Sequence, residues 1–170
     1  MINFFVSTLF NLALFQGVMA APRVYPVVTP GPGLPSLAEL NLTSAQLYEI
    51  GAPKDLSARG ELLGQRFEGF CGPDDSAYTN VNDLIACFNY LRSLGITSCV
   101  AVEDTAMCTA GDATVYGSAL RGTAVSYCRD VALGLLWVID HCTRPDQSCA
   151  GAQVANGNGD LIVGGFHSGW

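Results

Sequence analysis

The chain has 170 residues, seven of them cysteine, with 15 acidic against 8 basic side chains and a formal charge of −7. That length allows one domain plus a tail. The charge balance excludes a nucleic-acid partner, because a phosphate backbone is held by a basic patch that displaces its counterions.

Residues 1–20 contain no Asp, Glu, Lys or Arg, and an apolar core runs through Phe4–Phe15. A stretch this short, ending in small residues, suits a secretory signal peptide better than a membrane span. Val18 and Ala20 place cleavage between Ala20 and Ala21. Residues 21–66 read as a flexible linker or pro-region. They open with prolines and glycines that favour extended chain, and their four acids are matched by Arg23, Lys54, Arg59 and Arg66. Within them Ser36–Ile50 can form a short helix capped by Ser36 or Ser44. Asn41-Leu42-Thr43 is an N-glycosylation sequon in a stretch expected at the surface.

Residues 67–170 form the cysteine-rich domain, and the net acidity belongs to it. Its only bases are Arg92, Arg121, Arg129 and Arg144, so anionic membrane surfaces are poor partners and the acidity reads as solubility. Leu63–Cys71 is a first strand, followed by the turn Gly72-Pro73-Asp74-Asp75. A helix starts at Thr79 or Asn80 and ends at Gly95, with Leu84, Cys87, Phe88, Leu91 and Leu94 on one face. Thr97–Val102, Thr105–Thr109 and Ala113–Leu120 read as two or three strands joined by the turn at Gly111-Asp112. A second helix runs from about Ser126, its expected cap, to His141. Its apolar residues lie nearly all round, which means either burial beneath the tail segment or a binding surface. Asn156-Gly157-Asn158-Gly159 is a turn, and Asp160–Val163 is the last strand. The predicted fold class is therefore α+β, with two helices packed on a small antiparallel sheet in a disulfide-stabilised split βαββαβ sandwich.

The cysteines Cys71, Cys87, Cys99, Cys108, Cys128, Cys142 and Cys149 contain no C-x-x-C pair, and the chain has two histidines, His141 and His167. In a secreted chain this pattern reads as a disulfide framework rather than a zinc site. Spacing does not fix connectivity. One economical wiring pairs Cys99 with Cys108 across a hairpin, Cys87 with Cys128 between helices, and Cys71 with Cys142. Cys149 is then left as a free thiol in a polar loop.

Catalysis has no anchor residue. Cys149 lacks a placed base. His141 ends a helix, where a cation suits the dipole. Glu103-Asp104 and Asp74-Asp75 are neighbours in predicted turns, whereas paired catalytic carboxylates face each other from separate elements. No cofactor is implied.

The segment SYCRDVALGLLWVIDHC followed by ANGNGDLIV resembles the small cysteine-rich secreted proteins of filamentous fungi. The resemblance covers about Cys71–Val163, and Gly157-Asn158-Gly159-Asp160 is its most specific part. By layout this group is similar to killer-toxin-like effectors, which implies a disulfide-bonded α/β sandwich. Cys149 departs from the six-cysteine layout of that group. The resulting expectation is a secreted effector or toxin-like protein that binds a protein, carbohydrate or membrane target outside the cell, with no catalysis. The alternatives are a secreted hydrolase with an unrecognised active site, or a wall- or carbohydrate-binding protein. Trp137 and Trp170 are the candidate binding residues if they reach the surface.

Overall fold

The computed structural model describes residues 23–53 and 67–170. The expected signal peptide, its cleavage point and the first part of the Leu63–Cys71 strand lie outside the described residues. The described chain is α+β. Its strands are β1 (Val28–Pro30), β2 (Phe70–Cys71), β3 (Thr79–Asn80), β4 (Ser98–Ala110), β5 (Ala113–Tyr127), β6 (Ser148–Cys149), β7 (Gly151–Ala155) and β8 (Asn158–His167). Its helices are α1 (Ser44–Ile50), α2 (Val81–Ser93) and α3 (Cys128–Cys142). Six strands make one antiparallel sheet in the order β1-β4-β5-β8-β7-β2, and β3 pairs with β6 apart from it. Among the described residues no helix is long and apolar enough to cross a membrane.

This arrangement differs from the two-helix split sandwich in three places. A third helix comes from the tail. The final strand is a hairpin, because the Asn156–Gly159 turn lets β7 fold back on β8. β2 consequently sits at the sheet edge beside β7, and β8 takes the place next to β5.

The helices form where the sequence pattern puts them, with different caps. Asn80 caps α2 by accepting a hydrogen bond from the Asn82 amide. Ser126 does not cap α3, because β5 continues to Tyr127 and runs straight into the helix. The first helical amides are met by main-chain carbonyls instead: Cys128 N–H donates to Thr97 O, and Arg129 N–H to Gly95 O. This satisfies the orphan donors of a helix start without a side chain. α2 and α3 pack on each other and cover one face of the sheet. Leu84, Phe88, Leu91, Leu135, Leu161 and Val163 are buried in the layer between. α3 is enclosed by α2, β7 and β8 rather than by the tail, whose α1 packs on α2.

The reading of residues 21–66 as a flexible linker does not fit its described part. Val28 and Leu47 are buried in the main core. Val28–Pro30 extends the sheet as its edge strand, where a proline costs no ladder bond. Gly31 then passes so close to β4 that a Cβ would lie 2.7 Å from Met107 Cα. Thr43 and Gln46 form a capping box at the start of α1, so the helix begins at Ser44 rather than at Ser36. The domain also holds the segment by side chains. Asn89 Nδ2 donates to Leu47 O and Gly51 O at 2.9 and 3.1 Å, Tyr90 OH to Pro35 O at 2.7 Å, and Tyr48 OH to Asp83 Oδ1 at 2.7 Å.

The bridges are Cys71–Cys142, Cys87–Cys108 and Cys99–Cys128. The first agrees with the sequence wiring and the other two correct it. Cys99 and Cys108 lie on one strand, β4, with no turn between them. Nine residues at about 3.3 Å each put them roughly 30 Å apart, whereas bridged Cα atoms lie within about 7 Å. Cys87 faces the sheet rather than α3, and Cys128 reaches the start of β4.

Candidate functional site

The sheet has a second face, away from α2 and α3. Alternation along β8 sends Leu161, Val163 and Gly165 toward the helices, where Gly165 lies against Leu84 and Leu135. The same alternation sends Ile162, Gly164 and Phe166 to the open side. The register then sets a row across four strands: Tyr116 of β5, Gly164 of β8, Ala152 of β7 and Phe70 of β2. Gly164 is small for a reason. A Cβ there would collide with the Phe166 ring, which lies across it.

Two walls turn this face into a groove of about 540 Å³. At one wall Trp170 lies against Phe166 with the rings tilted by 37° and their centroids 4.7 Å apart, and its indole N–H donates to Asp74 Oδ2 at 3.4 Å. Asp74 also caps the 3₁₀ turn Asp75–Ala77, and the hydrogen bond from Ser76 holds its carboxyl below the usual aspartate range. Behind it the Arg144 guanidinium lies 3.3 Å from the centre of the Tyr78 ring and 2.8 Å from Asp75. At the other wall Phe67 and Phe70 meet edge to face, ring centroids 6.0 Å apart. Phe70 is 42% exposed and Trp170 50% exposed.

One end of the groove is polar. Between Val102 and Asp104 the β4–β5 register shifts, so that Val102 faces Thr123 but Asp104 faces Ser118. Glu103 takes a positive φ of 56° at this irregularity. Asp104 is thereby aligned with Ser118, whose hydroxyl donates to Asp104 Oδ1, and both line the groove. The described lining thus combines a broad aromatic surface with one carboxylate, a serine and the Tyr116 hydroxyl, and none of its residues is basic. Such a surface can take an apolar body and fix one polar group at a defined end.

The expected site residues are dispersed. Trp170 stands in the groove. Trp137 lies on the helix side, half-buried against the core and stacked on His141 at 4.3 Å, so it is not part of this surface. His141 Nδ1 lies 2.8 Å from Trp137 O, and His167 Nε2 lies 3.8 Å from Asp112. Neither histidine lines the groove. Asn41 is exposed in the turn before α1. Cys149 is free, as expected, but it is buried in β6 rather than held in a polar loop. Its thiol approaches Val138 O at 3.5 Å, and burial pushes its pKa up to about 11. A reactive thiol is therefore replaced by an inert one. Tyr116, Ser118, Ile162 and Phe166 were not singled out by sequence reasoning. The available sign was their period-2 spacing on β5 and β8, masked because β8 is apolar on both faces.

The Asn156–Asp160 turn, the most specific part of the fungal resemblance, serves structure here. Asn158 Nδ2 donates to Val125 O at 2.7 Å, and its Oδ1 accepts from the Asp160 amide at 3.1 Å. The Asn156 amide donates to Asp130 O, which ties the turn to α3.

No curated protein matches the chain, and no solved structure does. Residues 68–164, more than half of the chain, match the family described as a domain of unknown function (DUF8794). That span holds β2 to most of β8, with all seven cysteines and most of the groove, and the chain belongs to this family.

Proposed function

We propose that this protein is a secreted, small cysteine-rich effector or toxin-like protein that acts by binding a target outside the cell through the open-face groove. The observation that carries the reading is the groove itself, a preformed concave aromatic surface with one polar end. Its size falls within the range of about 300–1,000 Å³ typical of small-molecule sites. Three disulfides suit an oxidising compartment, and the apolar, uncharged residues 1–20 supply the export signal. The layering of helices on one face of an antiparallel sheet is in keeping with a compact disulfide-bonded sandwich of the killer-toxin-like kind. Asn41 belongs to the same reading as a glycan acceptor on the outer surface.

The test compares two double variants of the oxidised protein on competitor and host cells, scoring bound protein and growth. Phe70→Ala with Trp170→Ala is expected to lower the effect at least about tenfold. His141→Gln with His167→Gln is expected to leave it intact. An unaltered effect in the first variant, or a lost effect in the second with fold and disulfides preserved, overturns a binding mechanism at this groove.

A further inference from the structure

We infer that the groove takes a small amphiphilic amine, its hydrocarbon body lying on Phe70, Phe166 and Trp170 and its ammonium group set against Asp104. The inference rests on the binding role given to the groove above and adds the chemical class of the ligand.

Three observations lead to it. The first is shape. The space is bounded by the Phe67–Phe70 pair on one side and by the tilted Phe166–Trp170 pair on the other, which suits a small molecule more than a flat protein surface. The second is the position of charge. Asp104 is the carboxylate at the polar end, and no basic residue stands among the described lining residues to neutralise it. Ser118 donates to one carboxylate oxygen, and an ionised carboxylate has about four acceptor positions in all. The Ser118 bond therefore orients Asp104 while leaving capacity for a donor from a ligand. The third is the aromatic setting. Ring faces carry negative charge density and attract cations, quaternary ammonium groups included. Tyr116 lies two residues from Ser118 on the same face of β5. The net charge of −7 draws cations toward the molecule in the same sense.

A fatty acid of the same length would meet Asp104 as a like charge, so the groove separates amphiphiles by the sign of the head group. A saccharide would leave much of the aromatic floor against hydroxyl groups and gain nothing from the isolated charge.

The experiment is calorimetric titration of the full oxidised protein at neutral pH with three probes of one chain length: octylamine, octanol and octanoate. Octylamine should bind at least about tenfold more tightly than octanoate, with octanol between them. Asp104→Asn keeps an acceptor for the Ser118 hydroxyl and removes the charge. It should reduce the amine-to-acid ratio to within about twofold while leaving octanol binding unchanged. Trp170→Ala should weaken all three probes together. Equal binding of octylamine and octanoate, or a preference that survives in Asp104→Asn, overturns the amine assignment but leaves the groove as an apolar site. Failure of all three octyl probes, with a simple saccharide binding instead, overturns it too and moves the groove to carbohydrate recognition. Failure of every probe removes the groove as a small-molecule site altogether.

Discussion

Asp83 shows how one side chain can serve two parts of the chain at a cost. It lies in the first turn of α2, where a carboxylate suits the positive end of the helix dipole. It also accepts the Tyr48 hydroxyl and so fastens α1 to the domain. Yet it is buried beside a second acid, Asp112, which is itself held by Thr79 Oγ1 at 2.6 Å. Burial, followed by repulsion from Asp112, raises the Asp83 pKa above the ordinary 3.8, although the Tyr48 hydrogen bond works against it. The hydrogen bond from Thr79 lowers that of Asp112. The sign follows from linkage. An acid whose pKa is raised by folding binds its proton more tightly in the native state. Its contribution to stability is full below 3.8 and is lost as pH rises through the raised value. Asp112 behaves in the opposite way, contributing above 3.8 and losing its contribution as pH falls through its lowered value. Asp83→Asn removes the buried charge and its repulsion from Asp112 along with the smaller helix-dipole attraction, while Asn Oδ1 still accepts from Tyr48 and Nδ2 can donate to Asp112. The variant is expected to melt a few degrees above the natural protein at pH 7, with the gap closing by pH 3. Thermal melts at both pH values check this, and a gap of opposite sign or opposite trend would contradict the reading of the pair.

Among the elements, the tail and the bridges show where sequence reading stopped. Both domain helices were legible from 3.6-residue periodicity and from Asn80 and Gly95 at the ends of α2. The turns at Gly111-Asp112 and at Asn156–Gly159 were legible from turn chemistry. β1 and α1 were not. Their apolar content is small, and what fixes them is non-local: Val28 on β4, Leu47 against α2, and the Asn89, Tyr90 and Asp83 side chains reaching back from positions 35 or more residues away. The same limit applies to the groove. Its residues come from β2 and the segment before it, from β4, β5, β7 and β8, and from the C-terminus, and a register shift at Glu103 brings Asp104 opposite Ser118. No window of local sequence carries a register. The tail nevertheless makes a measurable prediction. Leu47 is fully buried, and truncating a buried leucine costs about 2–5 kcal/mol. Leu47→Ala should therefore lower the unfolding free energy of the whole domain by an amount of that order, read as a lower urea midpoint at unchanged m. A truly flexible linker would give no change.

For the whole molecule the three bridges are unequal, and the simplest accounting ranks them wrongly. Cys71–Cys142 closes 71 residues and Cys87–Cys108 closes 21. On chain entropy alone their removal costs about 4.4 and about 3.3 kcal/mol. The native state answers differently at the two places. Cys71 is exposed and belongs to the two-residue edge strand β2, which pairs at Phe70 and Cys71 and is followed by one further main-chain bond, Gly72 N–H to Ala150 O at 3.0 Å. Without its bridge, β2 can leave β7 while the core stays folded, and the entropy the native chain regains offsets part of the loss. Cys87 and Cys108 are both fully buried between α2 and β4, so that pair has no local way to relax, and its deletion adds cavity cost. The expected result inverts the entropic order. Cys87→Ala with Cys108→Ala should lower the global unfolding midpoint more than Cys71→Ala with Cys142→Ala. The latter should instead raise amide exchange and protease cutting at residues 67–72. Because Phe67 and Phe70 form one wall of the groove, that variant should also lose groove binding while its core remains folded. A larger global loss from the Cys71–Cys142 deletion, with residues 67–72 still protected, would show that β2 stays docked without its bridge and would overturn this ranking.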